Sequence, residues 1–196
     1  MSKLLRRRAV VKQLLADRGD MLVVAGLGAS AWDITACGDH PNNFPLWGAM
    51  GGAAMIGLGI ALAQPKRRVL VITGDGEMLM GLGSLATVAS QQPKNLAIVV
   101  LDNERYGETG QQLTHTGMGC DLAAVARATG IENASLVRTK EQLQEMCAAL
   151  AKPKATLFAQ IKVDPEKLPL VLPPREASYL KNRFRISVLG ESALYA

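Results

Sequence analysis

The sequence holds 196 residues, 48% of them hydrophobic, with 22 Lys and Arg against 17 Asp and Glu for a net charge of +5. A chain of this size can bury one sizeable core, and with aromatics at only 4% it is poorly supplied with stacking platforms for single-stranded nucleic acid. Cys37, Cys120 and Cys147 are odd in number and show no CxxC or Cys/His spacing, which argues against a disulfide framework or a zinc site and for a reducing, cytoplasmic setting.

Lys3, Arg6, Arg7 and Arg8 open an amphipathic helix, "RRRAVVKQLLAD", and read as its solvated start rather than as a nucleic-acid arm. "MLVVA" (21–25) is a short buried strand that runs into the loop "GLGAS". From Pro41 to Pro65 no residue is charged, yet the stretch begins with the polar turn "HPNNFP", is rich in glycine and is followed by "KRR". It reads as a buried helix from about Met50 to Gln64, not as a membrane span. The apolar stretch after Arg8 is broken by Lys12, Asp17 and Arg18, so no secretory signal is expected.

"RVLVIT" (68–73) predicts a strand, "GDGEMLMGLG" leads to a helix near Leu82 to Gln91, and "NLAIVVLD" (95–102) predicts the next strand. Asp121 can cap the helix "LAAVARATG", which Gly130 stops; Thr139 and Gln142 have capping-box spacing for a helix from about Lys140 to Ala151. "ATLFAQIKV" (155–163) is a further strand. Continuous apolar strands separated by helices predict an α/β fold, a doubly wound and mostly parallel sheet with helices on both faces. Residues 1–163 are expected to form one domain; 164–196 are expected to add a Pro-rich strap and a last helix around Ala177 to Val188.

In such a fold, Asp75 of "VLVITGDG" and Asn103 of "AIVVLDN" stand just past the carboxyl ends of neighbouring strands, the edge where ligands bind. Both present hard oxygens that suit a magnesium ion, whose octahedral shell phosphate and water can complete. Gly74 and Gly76 let the backbone turn sharply and approach a phosphate. Separately, a GDG turn and an Asp-Asn loop are ordinary; together, each after a buried strand, they are specific.

This pairing resembles the diphosphate-binding signature of thiamine diphosphate enzymes, and the likeness extends through "VVAGLGASAW", "LWGAMGGAAMIGLGIALAQPKRRVLVITGDGEMLM", "LDNERYGETGQQLTHTG" and "DLAAVARATG". Residues 20–163 resemble the diphosphate-binding (PP) domain of the 2-oxoacid decarboxylases in that family, above all the small, beta-type subunit of sulfopyruvate and phosphonopyruvate decarboxylases. The resemblance implies thiamine diphosphate and Mg2+ as cofactors, with the metal held by Asp75, Asn103 and the Arg105 carbonyl. It places Gly28, Ser30, Gly74, Gly76, Glu77, Tyr106 and Gly107 around the cofactor. A carboxylate cannot face a diphosphate, so the Glu77 side chain is expected to turn away. Gly48 would accept from the aminopyrimidine, and Met50 would prop the cofactor in its V shape.

Glu108, Thr109, Gln111 and His115 follow the metal loop and are expected to reach the substrate side, with Glu108 and His115 as candidate catalytic groups; His40 is a weaker candidate. The family also needs a glutamate from a pyrimidine-binding (PYR) domain, which this sequence does not resemble. The resemblance therefore implies a PYR-bearing alpha subunit as partner in a hetero-oligomer with some self-association, a small 2-oxo acid as substrate, and no nucleic acid or membrane. Three other outcomes stay open: a carboligase or oxidoreductase subunit using the same cofactor, a noncatalytic subunit, and, from "VVAGLGASA", a nicotinamide-binding module.

Overall fold

Six strands of near-continuous apolar sequence need helices on both sides, because each alternate side chain points to an opposite face. The computed structural model, which describes residues 4–195, shows how the chain meets that need. The elements run α1 (Arg7–Leu14), β1 (Leu22–Ala25), α2 (Ala29–Ala36), β2 (Asn43–Pro45), α3 (Ala53–Ala63), β3 (Val69–Gly74), α4 (Asp75–Met80), α5 (Ser84–Gln91) and β4 (Leu96–Asp102). They continue through a small hairpin of β5 (Arg105–Tyr106) and β6 (Gln112–Leu113), then α6 (Leu122–Ala128), β7 (Ala134–Val137), α7 (Lys140–Ala151), β8 (Leu157–Lys162) and α8 (Ala177–Leu189). The main sheet is parallel throughout, in the order β2-β1-β3-β4-β8-β7.

Val23, Leu70, Ile72, Val99 and Ile161 pack on one face against Val10 and Val11 of α1, Ile34 of α2 and Leu143 of α7. On the other face Leu22, Val71, Ile98, Val100 and Phe158 pack against Leu58 of α3, Leu85 of α5, Leu122 of α6 and Phe184 of α8. The strap after Asp164 carries no strand and is tied back at several points. The Asp164 amide donates to the Leu5 carbonyl, Arg6 pairs with Glu166, and the Trp47 indole donates to the Pro174 carbonyl at 2.8 Å. Since α8 places Leu180 and Phe184 in buried positions, the C-terminal helix is part of the packing and not an appendage.

Several local signals act as read. Asp121 caps α6 through the Ala124 amide at 2.8 Å, and Thr139 with Gln142 forms the capping box of α7. Other expectations need correction. The helix expected from Met50 begins at Ala53, because Ala49 and Gly51 take left-handed backbone (φ 56° and 88°) that a helix cannot contain. Met50 thus sits on a turn ahead of α3. The "GLGAS" loop enters a helix not foreseen, α2, and β2, α4, β7 and the β5–β6 hairpin were also not expected. The basic start is not simply solvated: Arg7 is buried and meets the wholly buried Asp33 at 2.5 Å, and Arg8 reaches the same carboxylate at 3.1 Å. Lys3 lies outside the described residues. No helix among the described residues is long and apolar enough to cross a membrane.

Candidate active site

The chain runs from β1 outward to β2 and then returns to the other side of β1 as β3, so the strand order reverses between β1 and β3. Helices leave the two strands on different sides there, and a crevice opens at their carboxyl ends. A cavity of about 610 Å³ fills that crevice. Its wall takes Leu27, Ala29 and Ser30 from the β1–α2 turn, Met50, then Gly74, Asp75, Gly76 and Glu77 at the end of β3. Asn103, Arg105, Tyr106, Gly107 and Glu108 follow from the loop after β4, and Arg7, Trp32 and strap residues Glu166 to Leu168 complete it.

Asp75 is buried at the first position of α4. Its Oδ2 accepts from Thr114 Oγ1 at 2.5 Å, and Thr116 Oγ1 lies 3.2 Å from the same oxygen. Loss of water pushes the carboxyl up to about 6; the two threonine hydroxyls oppose that rise and the nearby Asp102 charge adds to it. Asn103 holds its side-chain oxygen in a local turn, accepting the Arg105 amide at 3.0 Å. The Tyr106 ring lies over Gly76 so closely that an added Cβ would stand 2.5 Å from its Cε1, which accounts for the second glycine of the GDG turn.

Glu77 turns onto the back of the β1–α2 turn. Its Oε2 accepts from the Leu27 amide at 3.0 Å and from Thr73 Oγ1 at 2.8 Å, and a Cβ at Gly26 would stand 1.7 Å from that oxygen. Burial raises its carboxyl, against the pull of Thr73 and of the Ala53, Leu27 and Gly51 amides. The Glu77 carboxylate is thus tied by its Oε2 to the turn before α2, while its Oε1 is buried with no hydrogen-bond partner.

The remaining candidates fall differently. Gly28 has left-handed backbone (φ 76°) and is screened from the cavity by Glu108, whose Oε1 lies 1.6 Å from where a Cβ would stand. Glu108 thus lies over the turn before α2 while also lining the cavity. Thr109 and Gln111 also line the cavity. Gly48 is exposed and outside the wall, since the turn that lifts Met50 carries Gly48 away. His115 is exposed and does not line the cavity: it alternates with Thr114 and Thr116, which point inward. His40 accepts the Asn42 amide at 3.0 Å in the turn before β2, away from the cavity.

Sequence reasoning passed over the groups behind Asp75. Asp102, Thr114, Thr116, Gln160 and Lys162 are all buried. A glutamine and a lysine two apart in the apolar strand "LFAQIKV" were the available signal, since polar side chains on a buried face need partners. Lys162 meets Asp102 at 2.8 Å and Glu104 at 2.7 Å. Burial alone would lower its pKa, but hydrogen bonds and charge from Asp102 and Glu104 outweigh that and raise it.

The sequence pattern described as "Thiamine pyrophosphate enzyme, C-terminal TPP binding domain" matches residues 28–161. The chain belongs to this family. Sulfopyruvate decarboxylase subunit beta of Methanothermobacter thermautotrophicus is 37% identical over 188 residues, covering 95% of this chain and 97% of that one. Phosphonopyruvate decarboxylase of Streptomyces viridochromogenes is 42% identical over 151 residues, 76% of this chain but 37% of the relative. Among solved structures, benzoylformate decarboxylase from Polynucleobacter necessarius superposes with a TM-score of 0.69 at 22% identity, over 85% of this chain and 34% of that chain, which concerns the fold alone.

For a thiamine pyrophosphate enzyme the cavity is suitably furnished. Asp75 is a buried carboxylate that pairs with no Lys, Arg or His among the described residues, and Asn103 offers an amide oxygen on the adjacent strand end. No group of three or more His, Cys, Asp and Glu that could hold a metal occurs among the described residues. A metal here would take one carboxylate, neutral oxygens and the cofactor's phosphate, a set suited to Mg2+.

Proposed function

We propose that this chain is the diphosphate-binding subunit of a thiamine diphosphate- and Mg2+-dependent decarboxylase of short 2-oxo acids that carry a sulfonate or phosphonate. The observation that carries the reading is the placing of Asp75 and Asn103 at the ends of β3 and β4, on one cavity with the glycine turn before α2 and with Met50. The likeness to a subunit beta over nearly its whole length supports the split into two kinds of chain.

When bound, thiamine diphosphate supplies the nucleophilic carbon and the electron sink that release carbon dioxide from a 2-oxo acid. The protein's share is position and exclusion of water. Asp75, Asn103 and the Arg105 carbonyl would hold Mg2+. The backbone at Gly28, Ser30, Gly76 and Gly107 would let phosphate approach, provided Glu108 swings off Gly28. Glu77 is held behind the Leu27 turn by the Leu27 amide and Thr73, and Tyr106 packs on Gly76. Met50, 39% exposed on its turn and lining the cavity, would prop the cofactor.

The partner is a PYR-bearing alpha subunit that brings the acid for the pyrimidine ring. Apolar exposure supports a docked chain: Met50 at the cavity and Trp47, Met55 and Met80 are all exposed, and Met80 lies against the Gly51 turn next to Met50. Free thiols at Cys37, Cys120 and Cys147 support a cytoplasmic setting. Carbon dioxide release by the chain together with the subunit that co-purifies with it tests the reading. Sulfopyruvate and phosphonopyruvate should outrun pyruvate and benzoylformate; preference for benzoylformate would overturn the substrate class.

A further inference from the structure

The Asp75 carboxylate is held from behind by a chain of buried groups that never touches the cavity. Thr114 Oγ1 lies 2.5 Å from Asp75 Oδ2 and 2.9 Å from Thr116 Oγ1, and Thr116 Oγ1 lies 2.7 Å from Asp102 Oδ1. Two hydroxyl protons serve these contacts, so the two shortest take them: Thr114 donates to Asp75 and Thr116 to Asp102. Asp102 is fixed in turn. Its Oδ2 accepts from Gln160 Nε2 at 2.6 Å and Lys162 Nζ at 2.8 Å, and its Oδ1 also accepts the Glu104 amide at 3.0 Å. Gln160 is itself oriented by the Ala123 amide, at 3.1 Å.

Both threonine contacts with Asp75 fall on the same oxygen, Oδ2; neither falls on Oδ1. A free carboxylate can rotate and bind a cation through either oxygen or both, whereas one whose Oδ2 accepts the Thr114 hydroxyl and has Thr116 Oγ1 against it is held in one orientation with Oδ1 the less encumbered oxygen. We propose that Thr114, as donor to Asp75 Oδ2, and Thr116, anchored on Asp102 and set behind Thr114, are positioning residues that hold Asp75 in one orientation and leave Oδ1 as the oxygen presented to the metal. The anchor spans both metal-bearing loops: Thr114 donates its amide to the Glu104 carbonyl at 3.0 Å, and Lys162 grips Glu104 beside Asn103. The inference rests on the reading of Asp75 as a metal ligand.

A Mg2+ ion demands a near-ideal octahedron, while Ca2+ accepts a looser and larger shell. Loss of the hydroxyls should therefore weaken Mg2+ more than Ca2+. Calorimetric titration of the chain together with the subunit that co-purifies with it, using Mg2+ or Ca2+ at saturating thiamine diphosphate, tests this in wild type, Thr114→Val, Thr116→Val and the Ser replacement at each position. The Val variants should raise the Mg2+ half-saturation roughly tenfold or more, as expected for groups that orient a metal ligand, and narrow the Mg2+/Ca2+ preference. The Ser variants should restore both, and melting temperatures show which variants are folded. Wild-type-like Mg2+ half-saturation in both folded Val variants overturns the positioning role alone. No metal-dependent binding by the wild-type chain with its co-purifying subunit overturns the reading beneath it, and this inference with it.

Discussion

Arg7 Nε lies 2.5 Å from Asp33 Oδ2, and the carboxylate it meets is wholly buried. With Arg8 on the other oxygen, two guanidiniums of α1 neutralise one acid of α2, the helix that starts at the Gly28 turn. Removing one partner of such a group strands a buried charge, at a cost of about 3–5 kcal/mol. Asp33→Ala should accordingly lower the melting temperature by roughly 10 °C, given about 2–4 °C per kcal/mol for a domain of this size. Asp33→Leu combined with Arg7→Met should recover much of the loss. Thermal melts of the three chains check this, and an unchanged melting temperature for Asp33→Ala would contradict it.

The Asp75 carboxyl, raised by burial from 3.8 to about 6, implies a pH dependence of metal binding. Between those values the folded chain holds a proton that the unfolded chain has released, so the associated stability is complete below 3.8 and is lost as pH rises through about 6. Metal binding needs the ionised form and has the opposite sense. Apparent Mg2+ affinity should fall by about tenfold per pH unit on descending below 6, with one proton released per metal bound. Calorimetry in buffers of different ionisation enthalpy reads both. An affinity constant from pH 7 to 5 would place Asp75 outside the metal shell.

Met50 stands on a left-handed turn between Ala49 and Gly51, lines the cavity and is 39% exposed, so it contributes little to the core. Met50→Ala should leave the stability within about 0.5 kcal/mol of wild type, as for surface sites. It should slow proton–deuteron exchange at the cofactor's C2 in the assembled enzyme far more than it weakens cofactor binding. Unchanged exchange would assign Met50 to packing against the partner.

The parallel sheet was legible because apolar runs such as "VLVIT" and "AIVVLD" need cover on both faces, and the caps at Asp121 and Thr139 are local chemistry. The GDG turn and Asn103 were legible for the same reason, since a strand end fixes where the next residue points. What sequence could not supply was the reach of long loops. Thr114 and Thr116 touch Asp75 across 39 and 41 residues of chain, and Glu108 lies over Gly28 across 80 positions. α2 escaped notice because its buried Asp33 breaks the apolar stripe, and only Arg7 and Arg8 make that burial tolerable. β7 carries Ser135 at an exposed sheet edge, where the apolar signal is weak.

The central claim is that Asp75 and Asn103 form the protein's half of a metal–diphosphate site. Calorimetric titration of the full chain, with the subunit that co-purifies with it, using thiamine diphosphate with and without Mg2+, tests it most directly when wild type is set beside Asp75→Ala. Wild type should bind the cofactor in a Mg2+-dependent manner, and Asp75→Ala should lose that dependence while melting no lower than wild type, since it removes a buried acid that costs energy to ionise. Mg2+-dependent binding that survives in Asp75→Ala at wild-type affinity would contradict the claim.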